Sequence, residues 1–173
     1  LEEMTMEQKV GQLFLVRPDS LDLSQTQDQI NDAKADGVTE LTDAMRQTLA
    51  EYPVGGVVIF GKNLESPQQI TQFLDDLQQA SDTPLFTAID EEGGLVARLA
   101  NNAAFDLPQY ESAAAVGTSG NPEDARAMGR TIGGYLKEYG FNLDFAPVAD
   151  VNTNPDNPVI GTRAFSSEPQ TAA

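Results

Sequence analysis

Short unbroken apolar runs alternate along the chain with longer stretches whose apolar residues recur at helical spacing. Gly56-Val-Val-Ile-Phe60 and Pro84-Leu-Phe-Thr-Ala-Ile-Asp90 have strand length and no polar alternation, the pattern of strands covered on both faces. Gly11 to Val16 reads as a first buried strand, ended by Pro18, and Phe141 to Asn152 as a fourth. Helices are predicted between them. Thr5 caps a short one, and Thr42 to Glu51 carries Ala44, Met45, Leu49 and Tyr52 at helical spacing before Pro53-Val54-Gly55-Gly56 stops it. Ser66-Pro67 opens the next, with Ile70, Phe73, Leu74 and Leu77 on one face. Pro122 to Tyr139 carries Ala125, Met128, Ile132, Tyr135 and Leu136, and Gly140 closes it. Asp19 to Gly37 is polar and reads as a surface insertion rather than a packed element. Leu95 to Leu99 reads as the start of a helix or a long loop, and Leu107 to Gly120 as an irregular connection. Ser166 to Ala173 looks like an N-cap and the first turn of a helix. The order is a βα repeat, which predicts an α/β fold with parallel strands.

The candidate chemistry lies where two of these runs end. Pro84 to Ile89 runs into Asp90-Glu91-Glu92 and then Gly93-Gly94, and Phe141 to Ala149 runs into Asp150. Acids at the carboxyl ends of buried parallel strands occupy the position where α/β folds keep their ligand sites. Such a pair of strand ends suits a neutral, hydroxyl-rich ligand held by carboxylates. Asp90 also suits the duller task of capping a turn, as an Asp before glycines commonly does.

Composition narrows the chemistry. The chain has 173 residues, with 27 acids against 10 bases and a net charge of −17, a balance that repels phosphate backbones and anionic lipid and speaks against a nucleic-acid partner. There is no cysteine and no histidine, so thiolate chemistry, Ser-His arrangements and the usual zinc sites are unavailable to these residues. No apolar run approaches the roughly 20 residues that span a bilayer. A start at Leu1 without an initiator Met or signal-like segment points to a piece of something longer.

Five ordered segments carry a resemblance: Met6 to Phe14, Tyr52 to Phe60, Asp90 to Arg98, Asn142 to Asn152 and Asn157 to Phe165. Together they resemble glycoside hydrolase family 3, in its β-N-acetylhexosaminidase (NagZ-like) branch, over nearly the whole chain apart from a polar insertion at about 19–40. The resemblance implies that residues 1–173 are a partial (β/α)8 catalytic domain, the first half of a TIM barrel with about four parallel strands. It implies that Asp90 accepts hydrogen bonds from sugar hydroxyls and that Arg98 and Arg163 reach sugar oxygens. Arg98 equally suits a structural bridge to Glu91 or Glu92, and Arg163 an exposed position in its loop. Asp150 and Asn152 are expected to brace the barrel mouth through buried hydrogen bonds, and Lys62 and Asn63 are weaker candidates for its rim. Leu95 departs from the family pattern, where many relatives carry a further Arg.

The resemblance further implies that the general acid/base His and the nucleophilic Asp lie on segments absent from this chain, so it contains no catalytic residue. The fragment is then expected to be inactive alone. The activity implied for the whole protein is removal of terminal, non-reducing β-linked N-acetylhexosamine with retention, using no metal or organic cofactor. Partners are a carbohydrate substrate and either the missing half of the barrel or a second copy joined through exposed strand edges. Two alternatives stand beside this: a family 3 β-glucosidase, and a non-catalytic sugar-binding or assembly half-barrel. The acidic composition fits a cytoplasmic or an exported bacterial enzyme equally.

Overall fold

The computed structural model describes residues 2–172; Leu1 and Ala173, the two ends of the expected domain, lie outside the described residues. In chain order the elements are α1 (Met6–Gly11), β1 (Leu15–Val16), α2 (Gln27–Asn31), α3 (Asp43–Glu51), β2 (Gly56–Ile59), α4 (Pro67–Ala80), β3 (Phe86–Ile89), β4 (Glu91–Gly93), β5 (Val96–Ala97), α5 (Ala113–Gly117), α6 (Pro122–Glu138), β6 (Leu143–Asp144) and α7 (Pro169–Ala172). Single 3-10 turns occur at Pro18–Leu21, Gly61–Asn63 and Gly161–Arg163. Two compact units form, one from Leu1–Ile89 with Glu138–Leu143 and the other from Asp90–Lys137 with Asp144–Ala173.

The first unit is built on the four-stranded sheet, ordered β1-β2-β3-β6. β1 runs parallel to β2, and β2 to β3, with Val57 opposite Thr87 and Ile59 opposite Ile89. Val57, Ile59, Ala88 and Ile89 are fully buried, as unbroken apolar strands predict. Asn142 extends the sheet with its side chain: Thr87 N donates to its Oδ1 at 2.9 Å, and its Nδ2 donates to Leu85 O at 2.9 Å. Helix α4 forms as its sequence dictates. Gln69 N donates to the Ser66 hydroxyl at 3.2 Å, Pro67 occupies the first turn, and Ile70, Phe73, Leu74 and Leu77 are all buried. Each such side chain contributes roughly 1.5–3 kcal/mol on leaving water.

Four sequence readings change here. The first strand shrinks to Leu15–Val16, because Leu13 N and Phe14 N bond back to Val10 O and Gly11 O and prolong the helical turn, leaving both side chains exposed. The expected surface insertion is in part packed: Asp19, Leu21 and Ile30 are buried, and Thr26 forms a capping box with Gln29 at the start of α2. Lys62 and Asn63 turn inward to hold it. The Lys62 ammonium meets Asp19 at 3.1 Å and donates to Gln29 O and Ile30 O, each at 3.1 Å, while Asn63 Nδ2 donates to Asp19 Oδ2 at 3.0 Å. The fourth run is a strand only at Leu143–Asp144.

In the second unit, the segment expected to begin a helix or loop after Gly94 is instead the return strand of an antiparallel hairpin, with Glu91 opposite Ala97 and Gly93 opposite Val96. The glycine pair makes this hairpin possible. Gly93 and Gly94 adopt φ of 83° and 69°, and a Cβ on Gly94 would lie 2.9 Å from Ser112 Cα. The connection from Leu107 to Gly120 contains α5, started by Ala115 N donating to the Ser112 hydroxyl at 3.0 Å. Helix α6 buries Met128, Ile132, Tyr135 and Leu136, the face its periodicity predicts. Among the described residues no helix is long and apolar enough to cross a membrane.

Candidate functional site

Three consecutive carboxylates of the second unit, Asp90, Glu91 and Glu92, take three separate sets of partners. Asp90 follows β3, and its Oδ2 accepts from Arg98 Nη2 at 3.0 Å. The hairpin brings these two together by returning the chain after Gly93-Gly94. Arg98 therefore bridges to Asp90, and both side chains stay partly open to solvent.

Glu91 is fully buried and serves as an internal anchor. It accepts from Leu99 N and Ala100 N, each at 2.9 Å, and from the Tyr135 hydroxyl of α6 at 2.8 Å. Three donors are what a carboxylate removed from water needs to be tolerated. Burial together with the Glu91 charge pushes the Tyr135 phenol well above its ordinary value, so it stays a donor. Glu91 N in turn donates to Asp144 Oδ1 at 3.0 Å. Burial, reinforced by the charges of Glu91, Asp90 and Glu92, raises the Asp144 pKa to about 6 against the lowering effect of that hydrogen bond.

Glu92 grips Arg163 across 71 positions of sequence: Nε donates to Oε2 at 2.8 Å and Nη2 to Oε1 at 2.6 Å, a bidentate pair. Arg163 Nη1 also donates to Val159 O at 3.2 Å. The hydrogen bonds to Glu92 push the Arg163 pKa up, and Asp150 and Asp90 add to the attraction. Beside this pair lies a cavity of about 710 Å³, with Met128, Ile132, Val148 and Phe165 among its apolar walls and Glu92 and Asp144 among its polar ones.

Within the second unit Asp90 is joined to Arg98 and Arg163 to Glu92, and the Asp90 charge also reaches Arg163. Arg163 is not solvated in a loose loop; it sits in the Gly161–Arg163 turn with its guanidinium engaged. Asp150 is exposed, and the backbone N of Asn152 donates to Ser166 O, so the buried bracing expected of their side chains is replaced by a main-chain contact. Glu91, Tyr135 and Asp144 escaped the sequence reading as a network. The available signal was an acid inside an apolar run at Asp144 and a phenol on the buried face of α6. Among the described residues no group of three or more metal-ligating side chains could hold a metal ion.

Residues 5–173 match the glycosyl hydrolase family 3 N terminal domain. The chain is 36% identical over 137 residues to beta-hexosaminidase A of Pseudoalteromonas piscicida, covering 76% of this chain and 23% of that protein. It is 34% identical over 136 residues to a beta-hexosaminidase of Thiobacillus denitrificans, covering 76% and 37%. A glycoside hydrolase family 3 beta-N-acetylglucosaminidase from Paenibacillus sp. superposes with a TM-score of 0.80 at 32% identity, covering 98% of this chain and 29% of that one. Native NagZ from Neisseria gonorrhoeae gives 0.68 at 25%, covering 78% and 40%. The chain therefore spans between about a quarter and two fifths of the length of these relatives. The expected α/β architecture with four strands in one sheet agrees with these neighbours. With the profile matched from residue 5 onward and the strands in the expected order, the chain belongs to glycosyl hydrolase family 3, in its N-terminal domain.

Proposed function

We propose that this chain is the sugar-gripping part of a retaining exo-β-N-acetylhexosaminidase that removes terminal, non-reducing β-linked N-acetylglucosamine. The observation that carries the reading is two ion pairs of the second unit: Asp90–Arg98, with both side chains partly exposed, and Glu92–Arg163, in which a buried carboxylate holds a partly exposed guanidinium. Each is close to neutral overall yet keeps hydrogen-bonding capacity, which suits uncharged hydroxyls better than a phosphate or carboxylate. Asp90 accepts from sugar hydroxyls, and the two guanidiniums donate to sugar oxygens at fixed geometry. The beta-hexosaminidase relatives support the substrate class.

Bond cleavage needs more than these groups supply. Retention calls for a nucleophile and an acid/base group about 5 Å apart across the anomeric carbon, with a glycosyl-enzyme intermediate between two displacements. The chain contains no histidine, and the resemblance assigns both reacting groups to further segments. In this reading residues 1–173 are one partial catalytic domain, and its partner is the remainder of the barrel. That remainder covers apolar side chains that stand exposed in the first unit, including Leu13, Phe14 and Phe86.

The test is release of nitrophenol from a chromogenic β-N-acetylglucosaminide, by the 173-residue chain and by the full-length product of its gene. Turnover by the full-length product and none by the chain is the expected result. Turnover by the chain alone at the rate of the full-length product overturns the division of labour, and a full-length product that cleaves only β-glucosides overturns the substrate class.

A further inference from the structure

The bidentate contact between Glu92 and Arg163 has a use beyond holding the fold. We propose that Glu92 is a positioning residue for sugar binding, one that touches no substrate itself and acts by fixing the Arg163 guanidinium. The inference rests on the sugar-binding role proposed for Arg163.

A guanidinium has five N–H groups. Three of those on Arg163 make hydrogen bonds, two to Glu92 and one to Val159 O, and the remaining two lie on the terminal nitrogens. Because Glu92 takes the Nε and Nη2 edge, the fork cannot rotate about its long, flexible stem. The two remaining donors therefore keep one direction before any ligand arrives, and less side-chain entropy is lost on binding. Glu92 can hold that direction because it is itself fixed: it sits on β4, is buried, and precedes the Gly93-Gly94 turn. Arg163 sits on a single 3-10 turn in a largely irregular stretch, which offers little orientation of its own. Glu92 also offsets the Arg163 charge, so the pair presents donors without attracting anions in preference to a neutral sugar.

The experiment is a double-mutant cycle in the full-length gene product, reading kcat and KM for a chromogenic β-N-acetylglucosaminide together with the thermal midpoint. R163A is expected to raise KM by about tenfold or more, and E92A by a similar factor of about tenfold, as coupling between contacting residues allows. In the R163A background, E92A should change KM by less than about twofold, because Glu92 then has nothing left to orient. If E92A does not fold, E92Q keeps its shape and one acceptor oxygen and should show the same coupling with a smaller KM change. A purely structural role would lower the midpoint and leave KM alone, which overturns the proposal. So do independent, multiplicative effects of the two substitutions on KM. R163A without effect on KM removes the sugar-binding reading of Arg163 and this inference with it. R163A raising KM while E92A and E92Q stay at the unmodified value sinks this inference alone.

Discussion

Two acid–base pairs near strand ends, one in each unit, look alike in sequence and differ in what surrounds them. Asp19 and Lys62 follow β1 and β2, and their side chains are 0% and 5% exposed. The ammonium spends its donors on Asp19, Gln29 O and Ile30 O, and the carboxylate also accepts from Asn63 and Val38 N. Asp90 and Arg98 follow β3, and their side chains are 26% and 34% exposed. The first pair is closed off from water; the second is partly open to it. An acid beside a strand end with a base in the next loop is thus not by itself a ligand site. What decides is whether water, and so a ligand, can still reach the pair.

Breaking the closed pair should have the largest effect. K62A leaves Asp19 buried without its cation, for which a stability loss of about 3–5 kcal/mol is expected from urea unfolding. A loss under about 1 kcal/mol would mean that Asp19 is far better solvated than its burial implies. The next effect tests the second unit's own buried acids. In D144N the amide oxygen can still accept from Glu91 N–H, while the charge is lost and the other oxygen becomes an NH2 donor. The folded-state pKa of Asp144 is raised from 3.8 to about 6, so the folded protein holds the proton more tightly and stability falls as pH rises through that interval. D144N should therefore gain roughly 3 kcal/mol above about pH 6, and the gain should vanish below about pH 4. An equal gain at pH 3.5 and pH 7.5 would show that charge is not its cause.

Y135F removes one of three donors from buried Glu91 while keeping the ring, and about 1 kcal/mol of stability should be lost. The smallest stability change is expected at the open pair. R98A should stay within about 1 kcal/mol in the same unfolding assay, since partly exposed pairs contribute little. Yet it should raise KM of the full-length gene product where K62A does not. That crossing of effects, stability from one pair and affinity from the other, is the sharpest form of the comparison. An R98A protein that unfolds readily and keeps its KM would reverse it.

Elements that bury a continuous apolar face were legible in the sequence. Helix α4 appears with the expected cap and the four expected buried residues, and α6 and β2 fall within a residue or two of their expected ends. Asp90, Arg98 and Arg163 were legible as candidates because a motif carries them, and the structure pairs Asp90 with Arg98 and Arg163 with Glu92. Pairing at a distance was not legible. Nothing local joins Glu92 to Arg163 or Glu91 to Tyr135, since those contacts depend on how the chain returns. The polar stretch after Pro18 misled for a related reason: Asp19, Leu21 and Ile30 are sparse in sequence but converge once Lys62 and Asn63 provide something to fold around.

The Asp90-Glu91-Glu92 run also limits how this domain can change over generations. Successive residues of an extended segment send their side chains to alternating sides, and here each one is committed to different partners. A one-codon insertion or deletion within the run would hand every carboxylate to the wrong neighbour at once, whereas a change of length around the exposed Asn154 to Asp156 stretch would disturb none of them. Inherited variation in length should therefore collect in that stretch and be purged from the run.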